Sequence, residues 1–446
     1  MSAPLDKLLR DARIDLILSR IEKDPSVIDD VIKYVDSEIR SIRFNSILIL
    51  GELGQKASSA LSVITECLED EDWSICREAV RSLGKMGNLA ENASSKLSRL
   101  IGNQEDSIRR EIAITLGKIG IASDETLSAL KAALKDKNDE VRIEAAKALG
   151  NIGPSAHTII PDLMLSLKDK SWSVRTATAQ AISKIGEGTI KAIPTLISSL
   201  DDNDWRVRYR IVNALTKMGK EAVPSLLKVL KHKNPIARKE AVEALGGMQL
   251  NDSIVIDSLS EMLSDSVEYV RGKAADALRS IGKDAIPALI KAYENAKNKM
   301  KIVIISAIGG IGIEAEEAIP FIIEVQNHNK KLIRLEASRT LGNIGRSSEE
   351  AVIALQQALN DPKHIVRRVA AISLGKIGSF ANKAVSALIN TLNDKNPDVR
   401  WRASEALGII GVNTEEVISS LNGLVHDKCD YVCESAINAL DNLTEE

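Results

Sequence analysis

Aromatic side chains are only 3% of this 446-residue chain, and the apolar content is mostly Ala, Ile, Leu and Val. That suits thin helices stacked closely better than one large globular core. No sign of charge dominates: 59 basic residues face 62 acidic ones, a net charge of −3. No global field therefore draws the chain to nucleic acid or to an anionic membrane, and any basic binding face would have to be local. Long hydrophobic runs are missing too. The most apolar stretch, Ile302 to Ile313, contains three glycines and is too short to span a bilayer. Met1 to Lys7 lacks the charged-then-apolar layout of a signal peptide. A soluble, cytoplasmic protein with no membrane partner is expected.

Residues that carry chemistry are equally sparse. The five histidines are scattered and none is followed by Glu, so no metal-ligand cluster is visible. No phosphate loop of the Gly-x4-Gly-Lys-Ser/Thr type occurs, and no Gly-x-Ser-x-Gly elbow. The four cysteines fall as two pairs, Cys67 with Cys76 and Cys429 with Cys433, near opposite ends of the chain. In a helical array with neighbours ~10 Å apart they cannot share a four-ligand metal site. Small buried thiols in a reducing cytoplasm are the expectation. No catalytic residue, metal or cofactor is expected.

What the chain does have is a register. Arg43, Arg109, Arg142, Arg175, Arg208, Arg238, Arg271, Arg334, Arg367 and Arg400 recur at one phase, and Cys76, Lys301 and Cys433 fill its gaps. Successive intervals are 33 residues, except two of 30 leading into Arg238 and Lys301. A fixed period in this range signals a solenoid of stacked repeats, thirteen by this count. The register runs from about residue 37 to the end without a linker or low-complexity segment. One continuous array over 37–446 is therefore expected, preceded by a helical cap or partial repeat over 1–36.

The fourth repeat displays the local physics. Val141, Ala145, Ala148, Leu149 and Ile152 step by three and four, which places them on the buried face of a helix beginning near Asp139. The Gly153 phase recurs from Gly54 to Gly411, with Gly345 among its members, and predicts a helix stop in a left-handed residue. An earlier phase, seen in Gly150 and Gly246, lies inside the last helical turn. Gly costs roughly 1 kcal/mol there, which points to close approach of a neighbouring helix. A second helix follows, with Pro161, Pro194, Pro224, Pro287 and Pro320 in its first turn. Each repeat is thus read as a two-helix hairpin.

The string Asp-x5-Val-Arg-x2-Ala-x2-Ala-Leu-Gly-x-Ile-Gly, seen with one residue of slack over Asp136 to Gly153 and followed by Ala-Ile-Pro-x-Leu-Ile, resembles HEAT repeats, specifically the short variety of phycobilisome lyase-like proteins. The resemblance implies an all-α fold, a right-handed α-solenoid superhelix with the Val-Arg helices on its concave side. It also implies that the Asp six residues before the Arg phase (Asp70, Asp136, Asp169, Asp202, Asp265, Asp361, Asp394, Asp427) forms a ladder with Arg across consecutive repeats. The physics agrees: such an Asp can accept backbone N–H bonds at a helix start, and a planar guanidinium can bridge two neighbours. Ser37, Asn103, His232, Asn295 and His328 replace the Asp elsewhere. Both 30-residue intervals and several of these substitutions fall within 219–331, where a hinge is expected. The His-Glu pairs with which the HEAT-like deoxyhypusine hydroxylase builds its di-iron site are absent.

Variation just after the Arg phase carries the functional signal. Ile302, Val303, Leu335, Val369, Ile372 and Trp401 form an apolar strip in the later repeats; they are either a partner groove or side chains covered by neighbouring repeats. Trp172, Trp205, Arg206, Tyr209 and Arg210 form a second cluster, rich in the residue types that dominate interface hot spots. Its tryptophans could instead pack over a turn between paired helices. The expectation is a non-enzymatic scaffold or adaptor binding a protein or peptide along the concave face. An auxiliary of tetrapyrrole (bilin) protein maturation ranks second, and a nucleic-acid-binding role below both. The sequence is silent on oligomeric state.

Overall fold

The structure, a computed structural model, describes residues 3–186 and 188–444. Among these residues there is no strand, and the expected thirteen Arg-phase helices are all present. They run from Arg40–Leu53, Trp73–Met86 and Asp106–Ile119 through to Pro397–Ile410 and Asp430–Thr444, most of them 14 residues long. The protein is an all-α solenoid. Three short helices, Leu5–Arg10, Ile14–Lys23 and Val27–Lys33, precede the first repeat. They bury Leu8, Leu9, Ile17 and Val31, and Asn45 donates from Nδ2 to the Leu9 carbonyl at 2.6 Å.

Several of the Arg-phase helices start on a small polar side chain. Asp72, Asn138, Asp204, Asn234 and Asn396 accept the backbone N–H two residues on, satisfying one of the donors that a helix N-terminus leaves open. Helix ends take two forms, a distinction finer than the left-handed stop read from the glycine phase. Gly153 (φ 76°, ψ −144°) sits in a region open essentially to glycine alone and leads straight into a 3-10 turn and the second helix Ile160–Ser166. Gly120 (φ 77°, ψ 13°) is truly left-handed and is followed by Ser123, whose hydroxyl caps Asp124–Ala133. Gly345 departs from the expectation. Its φ is −94°, and it is small because Ala351 packs where a Cβ would stand.

The chain divides into two compact units, Met1–Val229 and Leu230–Glu446. Within each, the Arg-phase helices pack in series: Asp139–Ile152 lies between Asp106–Ile119 and Trp172–Ile185, and His364–Ile377 between Lys331–Ile344 and Pro397–Ile410. The stretch Arg40–Glu69 is long and apolar enough in composition to cross a membrane. It is, however, two helices broken at Gly54 by a 3-10 turn, with Ile47, Leu50 and Ile64 buried against neighbouring helices.

The interior glycines mark the seams. A Cβ on Gly246 would stand 2.8 Å from the Ala277 Cα, and one on Gly150 2.9 Å from the Ala181 Cα. Opposite each glycine stands a small residue of the next repeat. Three of these residues also bond the preceding helix through a hydroxyl: Ser82 Oγ donates to the Ile47 carbonyl at 3.0 Å, Thr115 Oγ1 to the Val80 carbonyl at 2.9 Å, and Thr340 Oγ1 to the Ile305 carbonyl at 3.1 Å. Gly150→Val should overpack the seam and cost about 1–3 kcal/mol. Because repeats couple to their neighbours, hydrogen exchange should show the loss in helices 139–152 and 172–185 and not along the whole chain.

Candidate functional site

The Arg phase builds a ladder. Arg109, Arg142, Arg175, Arg238, Arg334, Arg367 and Arg400 each donate through Nε and Nη2 to both oxygens of the Asp 27 residues later, at 2.6–2.9 Å. The remaining Nη1 donates to the carbonyl six residues before the Arg, so one guanidinium ties the start of its own helix to the next repeat. Each Asp also accepts the N–H two residues on, as Asp265 does from Val267 at 2.8 Å. Arg238 holds the Asp265 carboxyl below its ordinary value by its hydrogen bond, and Arg400 does the same for Asp427. These planar, two-bond pairs lie in positions mostly closed to solvent, and their work is to hold repeats together.

At Asn103 and His328 the substitution keeps the local turn without offering a carboxylate to the preceding repeat. Asn103 accepts the Glu105 N–H through Oδ1, and His328 accepts the Lys330 N–H through Nδ1. Burial and the nearby Lys301, Lys330 and Arg334 push the His328 pKa down, which keeps the ring neutral and able to accept that bond. Cys433 takes over part of the Arg role: its thiol donates to the Asp427 carbonyl. Lys85 adds a second stitch by pairing with Glu52, and Lys184 by bonding Asn151.

The cluster expected around Trp172 and Trp205 is brought together. Trp172, Trp205, Arg206, Tyr209 and Arg210 all lie in the first unit, at the N-terminal ends of Trp172–Ile185 and Trp205–Met218. The Arg206 guanidinium lies 3.3 Å from the centroid of the Trp172 ring and also forks onto Asp204, at 2.7 and 3.0 Å. Its hydrogen bond draws the Asp204 carboxyl down to about 2. Trp172 is thus partly covered by the next repeat. Trp205 is 65% exposed and Tyr209 is 52% exposed. Four residues apart, they stand on one face of the helix, with Arg210 beside the Tyr209 ring.

The apolar strip is placed differently. Ile302, Val303, Leu335, Ile372 and Trp401 are half-buried, and Val369, expected at an exposed phase, is only 6% exposed. The reason is rotational: two residues past the Arg phase the helix has turned into the neighbouring helices, and Glu78, Glu111, Glu240 and Glu336 at the same phase are buried as well. Trp401 meets Tyr431 edge to face at 5.4 Å, lies under the Arg402 guanidinium and lines a cavity of about 410 Å³ with Ile409. The sequence reading missed Tyr431 and Ile409; the signal for Ile409 is an apolar residue at the phase that holds Lys85, Lys184 and Lys376 in other repeats.

Cys67 and Cys76 are buried free thiols, Cys67 pushed up to about 12 by burial. Cys429 and Cys433 are free and half-buried. Among the described residues no group of three or more His, Cys, Asp or Glu side chains is arranged to hold a metal ion.

The description of HEAT repeats matches overlapping segments from 28–117, 61–149 and 96–182 through 286–375 to 354–441, which together run almost from end to end. The chain belongs to the HEAT-repeat family. No curated protein matches it in sequence. Among solved structures, this HEAT-repeat protein is similar to Kap121p bound to Ste12p, with a TM-score of 0.60 and 16% identity over 93% of this chain and 52% of that one. It is also similar to the chain in the Kap95:Nup1 complex, with a TM-score of 0.54 and 12% identity over 95% and 67%. At such identities the likeness is one of fold. The HEAT-repeat chain spans about half the length of the first of these structures.

Two outcomes test the ladder. Arg367→Ala strands the Asp394 carboxylate and should cost about 1–3 kcal/mol, with protection lost in helices 364–377 and 397–410. The depressed Asp265 value sets the sign of the pH dependence: its contribution is present above the unfolded carboxylate pKa, near 4, and vanishes as pH falls through the folded value. In urea titrations, the stability difference between wild type and Asp265→Asn should hold from pH 7 to 5 and narrow below about pH 4.

Proposed function

We propose that this HEAT-repeat chain is a non-enzymatic, cytoplasmic scaffold or adaptor that binds a protein or peptide partner on its Arg-phase helices, anchored at Trp205 and Tyr209. The observation that carries the reading is that exposed pair, set on one helix face and flanked by Arg206 and Arg210, in a chain with so few aromatics. Large aromatic side chains with neighbouring arginines supply most of the energy in protein interfaces, and a rigid helix presents them at little entropic cost. Solenoids of this fold hold protein partners elsewhere: Kap121p has been solved bound to Ste12p, and Kap95 in complex with Nup1. We read the repeats as the short, phycobilisome lyase-like variety, on their 33-residue period and on the Val-Arg and Ala-Ile-Pro strings.

The test is affinity capture from native lysate with quantitative mass spectrometry. The double variant Trp205→Ala, Tyr209→Ala should recover the specific partner at least about tenfold less well than wild type, because each anchor carries more than ~1 kcal/mol. Circular dichroism should be unchanged, since both side chains lie outside the core. Leu165→Ala, an exposed apolar position on a second helix, should recover the partner normally. Equal recovery by the double variant would move the binding face away from this patch, and Trp401→Ala then tests the later repeats with the same readout.

A further inference from the structure

We infer that the seam between helices Glu268–Ile281 and Asn298–Ile311 holds a carboxylate site for an acidic peptide, with Arg271 as its two-bond donor. The inference rests on the partner-binding reading but uses no residue of the aromatic patch, so either can fail without the other.

Arg271 is a ladder arginine without a rung. Its Nη1 donates to the Asp265 carbonyl at 2.8 Å and to the Ser266 carbonyl at 3.2 Å, the same pair of bonds that orients Arg238 and Arg334. In those rungs the Nε–Nη2 edge meets the next repeat's Asp. Here the three-residue deletion and a substitution put Asn295 at that phase, and among the described residues no carboxylate pairs with Arg271. Asp265, the acid that shares the cavity wall with Arg271, is already bound by Arg238 at 2.7 and 2.8 Å.

The close approach at an interior glycine is missing at the same seam. Where Gly246 or Gly309 allows close approach, this repeat carries Arg279, and a Cβ on Gly310 would stand 2.5 Å from the Arg279 Cδ, so the glycine of the next helix makes room for it. These two helices pack together less extensively than any other consecutive Arg-phase pair in the second unit. The cavity here is about 610 Å³, against 370–490 Å³ for those beside the intact rungs of Arg109, Arg142 and Arg334, and it has Arg271, Asn295, Lys297, Lys299 and Met300 in its wall. Arg271 is half-buried, and Asn295, Lys297 and Lys299 are exposed, so the site opens to solvent.

The chemistry selects the ligand. A guanidinium already pinned along one edge presents its other edge as a planar fork, which matches a planar carboxylate with two parallel hydrogen bonds. The two lysines add positive charge without fixing geometry, and Asn295 can donate a further bond through its amide. An Asp or Glu side chain of a partner, or its C-terminal carboxylate, would complete in trans the rung that the chain completes in cis elsewhere.

The experiment uses the full chain and peptides carrying a neutral BODIPY label, followed by fluorescence anisotropy up to about 1 mM, where weak single-site contacts register. The probes are Gly-Glu-Glu-Glu-Gly amide, the same peptide with Gln for Glu, the Gln peptide with a free C-terminal carboxylate, and a phosphoserine version of the amide. The Glu amide should bind at least about tenfold more tightly than the Gln amide, and Arg271→Ala should remove that preference. Asn295→Asp supplies the missing rung, so it should abolish peptide binding while slowing hydrogen exchange across helices 268–281 and 298–311 by about tenfold. If only the free-carboxylate peptide binds and Asn295→Asp abolishes it, the site stands with a chain terminus as its ligand. Undiminished binding by Asn295→Asp would assign any affinity to the surface lysines and overturn the proposal. So would failure of every carboxylate peptide to bind wild type, or binding of the phosphoserine peptide alone.

Discussion

The two-bond Arg–Asp pair between consecutive repeats is the constraint on which the rest of the structure depends. A repeat of two short helices cannot bury its own apolar face, and its stability is shared with its neighbours. The guanidinium converts that sharing into a defined register. One edge reads the carbonyls at the start of its own helix, the other reads a carboxylate fixed by the turn that starts the next. A hydrophobic seam alone would tolerate sliding; a planar fork does not. Desolvation of the pair is offset by full hydrogen bonding, since both carboxylate oxygens and the guanidinium nitrogens find partners.

Glycine supplies the complementary constraint of distance. Ala148, Ala181 and Ala277 approach the facing helix because the position opposite has no side chain. Rungs hold the helix starts, and glycines bring the helix ends together. Where both occur, as at Arg142 and Arg334, the cavity beside the rung stays at 370–450 Å³; at the Arg271 seam neither does, and it widens to about 610 Å³.

Much of this was legible in the chain itself, because a repeated sequence states its register many times over. The Arg-phase helices, the prolines opening second helices and the close approach at interior glycines follow from spacing and from what each residue type costs in a helix. What was not legible depends on rotation and on neighbours. Val369 occupies a phase that turns inward only once the helices are stacked, and the sequence shows no stacking angle. The Arg206 cover on Trp172 joins side chains 34 residues apart, a contact set by the seam and not by either helix. Gly345 looks like its fellows in the register, yet its φ is negative, and what keeps the position small is Ala351, a residue of the second helix that packs where a Cβ would stand. The exposed tryptophan at Trp205 shares a phase with Trp172, and only the structure separates the covered ring from the open one.

The two seam rules share a further property. The Arg-to-Asp and glycine-to-small-residue distances are both counted across a single repeat boundary, so a complete 33-residue cassette carries its own half of each. Duplicating or deleting one whole cassette preserves both registers, whereas a shift of one or two residues breaks them together. Such a chain can change length by unequal exchange of coding segments without passing through an unfolded intermediate sequence. The binding surface can then be lengthened by copying, with each copy free to vary just beyond its arginine.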